Sequence, residues 1–383
     1  MRVAIFGSGL MGATIASDLT KAKQVDSVTV HDIDRRRLRA LAGKEPSPKL
    51  TTKLHDVRRE KETARLLRKF DIGVGALPHG LSEHAIQAAI NARTNFVDLI
   101  FGWRFGQAEI NSACRRRRIT IIPACGLVPG LTNILAMTAA EQMRSVDEVH
   151  IKVGGIPEKP KPPLNYRIVF SFQAVLEEYL RKARIIRNWK TIDIPALTGL
   201  ETIHFPPPIG KCECFYTDGL STLIQTIRKV REMDEKTIRW PGHAEQIRTL
   251  VECGLLENEP THYQGQAIAP RDFTSSVLSD KLALRDDTDL TLLRVDVSGR
   301  KNGKRTRRRY EMIDRYDRKH GITSMARTTA FPCSIAAQIL ASGRIREKGL
   351  VPPELAFRGE LREEFLEYLK KRGMKIKSTL TLS

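Results

Sequence analysis

No apolar run in this 383-residue chain approaches the ~20 residues a helix needs to cross a bilayer, which excludes a helical membrane protein. Six cysteines are scattered along it, at Cys114, Cys125, Cys212, Cys214, Cys253 and Cys333. Only Cys212 and Cys214 are close, and a one-residue spacing suits neither a structural zinc site nor a redox C-x-x-C pair. Buried thiols are therefore expected, with no metal site and no extracellular disulfide framework. Aromatic residues make up only 6% of the chain. The basic clusters at 35–37, 115–118 and 301–309 have none interleaved to stack bases, and no helix-turn-helix, zinc-finger or RNA-binding signature accompanies them. No specific nucleic-acid partner is expected. The short apolar stretch at the N-terminus ends in glycines and not in a cleavage signal, so the chain reads as cytoplasmic and without a leader.

What is present is enough apolar residue, 41%, to bury a sizeable core in two domains or three. The net charge is +20, from 64 basic and 44 acidic residues, which predicts adhesion to polyanions at low salt.

Residues 3–12, VAIFGSGLMG, run an apolar strand straight into a G-x-G-x-x-G turn and a helix expected over 10–19. Each glycine answers a steric demand. Gly7 permits the tight turn, Gly9 the close approach of backbone to a pyrophosphate, and Gly12 the closing of helix onto strand. Ser8, Leu10 and Met11 complete a turn whose N–H groups and positive dipole end suit phosphate. A second strand over 28–32 ends in Asp32, twenty-five residues after Gly7, near the usual spacing for a carboxylate that accepts adenosine ribose hydroxyls. Asp32 and Asp34 would repel a 2′-phosphate, whereas Arg35, Arg36 and Arg37 could clamp one or simply begin a solvated helix. The balance predicts NAD over NADP.

Strand-like runs at 3–6, 27–32, 72–77, 95–100 and 119–123 alternate with helix-like runs at 10–19, 62–69, 81–92 and 107–116. That rhythm predicts a doubly wound parallel sheet. From about Gly130 strands are expected at 148–153, 167–172, 183–187, 191–194, 236–240 and 291–297, in a mostly antiparallel sheet. Asn302-Gly303 is a hairpin signal, and an apolar helix is expected over 332–343, where the chain returns to the nucleotide domain. Ligands of open parallel sheets sit beyond the C-terminal strand ends. This places Ala76, Leu77 and Pro78 beside the cofactor and brings forward Asp98 and the 123–130 loop around Cys125. Further on, the 215–220 and 239–243 loops gather Tyr216, Asp218, Arg239 and His243.

The chain resembles the lysine 6-dehydrogenases, which belong with the saccharopine reductases in one superfamily. The resemblance rests on GLVPGLTN at 126–133, GGIP at 154–157, PPLNY at 162–166, YTDG at 216–219 and KTIRWPGH at 236–243. PRD at 270–272, IDRYD at 313–317 and MARTT at 325–329 continue it. It implies NAD-dependent oxidation of the L-lysine ε-amine to allysine, which cyclises to Δ1-piperideine-6-carboxylate, with ammonia released. It also implies an α/β fold in three parts: a Rossmann domain over 1–130, an inserted α+β domain over 131–326, and C-terminal helices over 327–383 that complete the Rossmann domain. The inserted domain would shape the substrate pocket and pair subunits into a homodimer or higher homo-oligomer.

One position departs from the resemblance. The family often has an acidic residue directly before the Cys/Ala-Gly turn, and here it is Ala124. Asp98 is then the leading candidate to hold or deprotonate the amine, or else a helix-capping aspartate, with Asp218 and His243 next as acid–base candidates. Arg239 could bind the substrate α-carboxylate or lie in an ion pair, and Tyr216 could bond substrate or fill a seam. Cys125, Arg327 and Thr329 could line the cleft, with a buried thiol and a helix N-cap as the alternatives. Ala124 leaves open a saccharopine-type or polyamine C–N oxidoreductase, for which Arg104 or the 115–118 cluster could bind a second carboxylate. It also leaves open a nucleotide-binding sensor without catalysis.

Overall fold

Residues 1–100 and 106–382 are described by the structure, a computed structural model. They form two units, one of the described residues of 1–137 with 326–374 and the other of residues 138–325 with 375–382. The chain begins with β1 (Arg2–Phe6), α1 (Leu10–Lys21), β2 (Ser27–Asp32), α2 (Arg35–Lys44), β3 (Leu50–Leu54), α3 (Glu60–Leu67), β4 (Ile72–Gly75), α4 (Ser82–Ala92), β5 (Asn95–Asp98), α5 (Gln107–Arg117), β6 (Thr120–Ile122) and α6 (Leu131–Ala140). It continues through β7 (Ser145–Pro157), α7 (Phe172–Leu180), β8 (Ala183–Arg187), β9 (Lys190–Ile194), β10 (Glu201–Phe205), β11 (Gly210–Tyr216), α8 (Leu223–Thr226), β12 (Glu232–Arg239), α9 (His243–Glu252), β13 (Thr261–Tyr263), β14 (Gln266–Ile268), α10 (Pro270–Lys281), β15 (Asp289–Lys301) and β16 (Lys304–Arg315). Then come α11 (Ser324–Ala341), β17 (Gly349–Leu350), α12 (Pro353–Ala356), α13 (Glu360–Lys371) and β18 (Lys377–Leu382).

The first unit is an α/β layer structure around a parallel sheet of order β17-β6-β5-β4-β1-β2-β3. Its central strands are apolar on both faces because helices cover both: Val3, Ala4, Ile5, Phe6, Ile72, Val74, Phe96 and Val97 are all buried. Strand order runs outward from β1 in both directions, so the chain reverses between β1 and β4. That switch point opens a crevice at the C-terminal ends of these two strands. The edge strand β3 was not expected from sequence, because Leu-Thr-Thr-Lys-Leu is half polar and largely exposed.

The second unit holds a mixed sheet of path β10-β11-β12-β7-β15-β16-β18, with β8 against β12 and β9 against β8. Among its described pairs only β12 with β7 is parallel. The Asn302-Gly303 pair makes the β15–β16 hairpin, both residues at positive φ of 50° and 80°.

Three expectations are corrected here. The strand expected over 167–172 is a single bridge at Ile168 to Ala283 followed by the start of α7, whose first turn Ser171 caps by accepting from Ala174 N. The helix expected from 332 begins at Ser324 and carries Pro332 inside it. Helices α11, α12 and α13 do return to the first unit as expected, but only as far as Met374: the residues after it form β18, paired antiparallel with β16 in the second sheet. Among the described residues no helix is long and apolar enough to cross a membrane.

Candidate nucleotide and catalytic site

The glycine-rich turn sits where β1, β2 and β4 end. Gly7 has φ of 100°, and a Cβ there would lie 2.3 Å from the Ala76 carbonyl oxygen. A Cβ at Gly12 would lie 1.9 Å from the Gly7 oxygen, so neither position accepts a side chain. Gly7 N donates to His31 O at 2.8 Å and Ala76 N to Phe6 O at 2.9 Å, which ties the turn to all three strand ends. Leu77 reaches within 3.5 Å of a Gly7 Cβ. Gly9 differs from both its neighbours, because a Cβ there meets nothing within 4 Å. Gly9 also N-caps α1, and no side chain bonds the first-turn N–H groups. The result is a backbone cradle facing open space at a positive helix end, which fits a pyrophosphate.

Asp32 stands beside that cradle in a fixed orientation. Its Oδ2 accepts from Ser8 N at 2.6 Å and Ser8 Oγ at 2.7 Å, and its Oδ1 from Asp34 N at 2.9 Å. Burial pushes the carboxyl up, but these hydrogen bonds and Arg37 outweigh it and hold the group below the usual aspartate range. The carboxylate is ionised, and each oxygen keeps acceptor capacity for a hydroxyl. Asp34 is committed to α2, accepting from Arg36 N at 2.8 Å and Arg37 N at 3.2 Å. Two apolar side chains flank the turn unusually exposed, Leu10 at 45% and Ile33 at 60%. Sequence reasoning missed Ile33, although an isoleucine between two aspartates at a strand end was a readable signal. These residues fit a dinucleotide.

The expected catalytic and substrate residues fall elsewhere. In the first unit Asp98 is fully buried, with Ser82 Oγ donating to its Oδ2 and its Oδ1 against Gly75. Burial pushes its carboxyl up to about 7 despite the Ser82 bond. It is a partner of the α4 N-terminus and reaches no solvent, the geometry of the helix-capping alternative. Cys125 is equally sealed. Its backbone N donates to Asp98 O at 2.8 Å, and burial pushes its thiol far up, as the buried-thiol alternative has it. Arg327 donates to the Arg372 carbonyl at 3.0 Å and lies 5.8 Å from the Phe331 ring, which ties it to the end of α13. Thr329 packs its methyl against Gly126. Ala124 is buried at φ of 52° and donates to Ile100 O. Arg104 lies outside the described residues.

In the second unit, Arg239 and His243 do come together, but inside the core. Arg239 is 2% exposed, donates from Nε to Tyr179 Oη at 3.0 Å and from an Nη to Ile238 O, and stacks on Tyr166 at 5.0 Å. Tyr179 Oη lies 2.8 Å from His243 Nε2, and His243 Nδ1 lies 2.7 Å from Leu164 O. This fixes the tautomer with Nδ1–H donating. Burial, then Arg239, holds the imidazole down at about 3, so it stays neutral and enclosed. Asp218 faces Arg181 at 3.1 Å. Tyr216 accepts from Arg187 at 3.2 Å and stacks under Lys236 at 4.4 Å. Arg239 and His243 are thus buried and bonded within the second unit, whereas Asp218 is partly exposed in its ion pair with Arg181.

Comparison with known proteins follows the same division. Residues 3–122 match the family model described as "Saccharopine dehydrogenase NADP binding domain", and residues 126–374 that described as "Saccharopine dehydrogenase C-terminal domain". The chain is 23% identical over 305 residues to the NADP(+), L-glutamate-forming saccharopine dehydrogenase of Saccharomyces cerevisiae, covering 74% of this chain and 65% of that protein. It is 20% identical over 371 residues to carboxyaminopropylagmatine dehydrogenase of Synechocystis sp., covering 91% of each. The fold matches that of apo saccharopine dehydrogenase (L-Glu forming) from Saccharomyces cerevisiae, with TM-score 0.82, 19% identity and 99% of each chain covered. Against the first curated relatives it matches, the chain spans between 47% and 65% of their length. Since the two family models together take in almost all of its residues, the chain belongs to the saccharopine dehydrogenase family.

Proposed function

We propose that this chain is a nicotinamide-dependent oxidoreductase acting on a C–N bond of an amino-acid-derived amine, with NAD as its preferred cofactor. The observation that carries the reading is Asp32, ionised and held by Ser8 and Asp34 beside the open Gly9 cradle. In this reading the cradle and the α1 N-terminus hold the pyrophosphate. Asp32 takes the adenosine ribose hydroxyls and repels a 2′-phosphate, and Leu10 and Ile33 offer apolar surface to the adenine. When bound, NAD supplies the hydride acceptor.

Hydride can leave the substrate carbon only if the adjacent nitrogen has a free lone pair, and an alkylamine has pKa near 10.4. At neutral pH the neutral fraction is roughly 10⁻³ to 10⁻⁴, a cost of about 4 to 5 kcal/mol. Asp98 and His243 are buried and Asp218 is paired with Arg181, so in this reading solvent takes the amine proton.

Two substrates compete within the class. The motif series from 126–133 to 325–329 supports free L-lysine, oxidised at its ε-amine. The names of the relatives support a secondary amine of the saccharopine type, and carboxyaminopropylagmatine dehydrogenase extends that to polyamine conjugates. A turnover screen decides: NAD and NADP with L-lysine, saccharopine, ornithine and polyamines, followed at 340 nm. Substrate-dependent NADH formation with one of these amines is expected. NAD binding without turnover on any of them would leave the sensor, and NADP outcompeting NAD would overturn the role given to Asp32.

A further inference from the structure

The helices of the first unit end on the side opposite the glycine-rich turn. All strands of its sheet are parallel, so α4 and α5 start near strand C-terminal ends and finish beside the N-terminal ends of β5 and β6. Between their last turns lies a concavity of about 390 Å³. Its floor is Ile90 and Ala113, and its polar lining is Gln87, Asn91, Arg93, Arg116 and Arg117, with no carboxylate.

A cation at a helix C-terminus complements the macrodipole; α1 and α2 end in a single lysine each, Lys21 and Lys44, and α13 in Lys370 and Lys371 with Arg372 as its C-cap. Helix α5 instead carries Arg115, Arg116 and Arg117 in its last turn and Arg118 as its C-cap. Arg93 and Arg118 both occupy the left-handed C-cap conformation, at φ of 59° and 58°, which glycine adopts at lower cost. Some exposed arginines of this unit are paired, as Arg58 is with Asp56 and Arg344 with Glu364. Arg93, Arg116 and Arg117 have no described carboxylate partner. Three arginines thus line one concavity whose lining holds no carboxylate, beside two amides that can donate further.

We propose that this groove binds a phosphate-bearing polyanion of the size of an oligophosphate, at a site separate from the nucleotide cradle. Guanidinium forks match phosphate oxygens bidentately, and an anion here relieves the mutual repulsion of the arginines. The proposal does not depend on the assigned reaction.

The test is calorimetric titration of the full chain with tripolyphosphate and, separately, ATP, at ionic strength matched with KCl. It is run on the wild type with saturating NAD and on Gly9→Val, in which the cradle is filled. Binding is expected in both, with affinity reduced at least about tenfold in Arg93→Gln/Arg116→Gln/Arg117→Gln. Equal affinity for the two ligands supports recognition of phosphate alone, and tighter ATP supports a nucleotide source. Unchanged affinity in the triple variant, loss of binding in Gly9→Val, or binding of an RNA duplex but not of tripolyphosphate overturns the proposal. Should the triple variant fail to fold, Arg116→Glu alone gives the same reading, with circular dichroism confirming its fold.

Discussion

Gly9 and Asp98 show how differently single positions declare themselves. At Gly9 the backbone is ordinary, φ of −66°, and a side chain would meet nothing, so the fold does not demand glycine there. Gly9→Val is therefore expected to leave the melting temperature within a degree or two while weakening NAD at least about tenfold, read by calorimetry. The steric demands at Gly7 and Gly12 were legible in the sequence because they follow from local sterics and spacing. Asp98 was legible as a strand-end carboxylate but not as a buried one, since burial is set by Ser82 and Gly75 from other segments. Its folded-state pKa is raised from 3.8 to about 7, so the folded chain holds the proton more tightly than the unfolded chain. That contribution is complete below about pH 4 and is lost as pH rises through 7. Asp98→Asn keeps the neutral form, and its stability relative to wild type is expected to rise between pH 4 and pH 8 by up to about 4 kcal/mol, measured by urea unfolding.

At the scale of elements, β12, α7 and α9 are joined through one phenol. Tyr179 accepts from Arg239 Nε and donates to His243 Nε2, so three elements share a hydroxyl. Tyr179→Phe leaves a buried guanidinium nitrogen and a buried imidazole nitrogen without partners. It is expected to cost about 2 to 3 kcal/mol in urea unfolding while leaving NAD affinity unchanged, because the cradle belongs to the other unit. Substrate binding by Arg239 would show instead as a raised KM with little loss of stability. The β-α alternation over 1–122 was readable because central parallel strands are continuous apolar runs. The edge strands β3 and β18 were not, since they have little apolar residue to bury. The expected strand at 167–172 failed for the converse reason: its apolar residues pack around the α7 start, where Ser171 caps a helix.

For the whole molecule, the proposed chemistry requires an unprotonated amine, and in the proposed reading solvent takes its proton. The rate, as kcat/KM for the amine found by the screen, is expected to rise about tenfold per pH unit from pH 7 to near pH 10. A flat profile would show that a group of the protein deprotonates the amine. The net charge of +20 predicts nonspecific adhesion to polyanions that fades with salt, distinct from binding in the Arg93 groove that survives matched ionic strength. The sequence by itself determined the parallel sheet, the glycine-rich turn and the acid that follows it, because backbone sterics and hydrophobic period act over neighbouring residues. Only the tertiary structure decided which polar residues face a ligand and which are sealed inside. Asp98, Cys125, Arg239 and His243 owe their burial and their pKa to partners far away in the chain, and no local spacing encodes that.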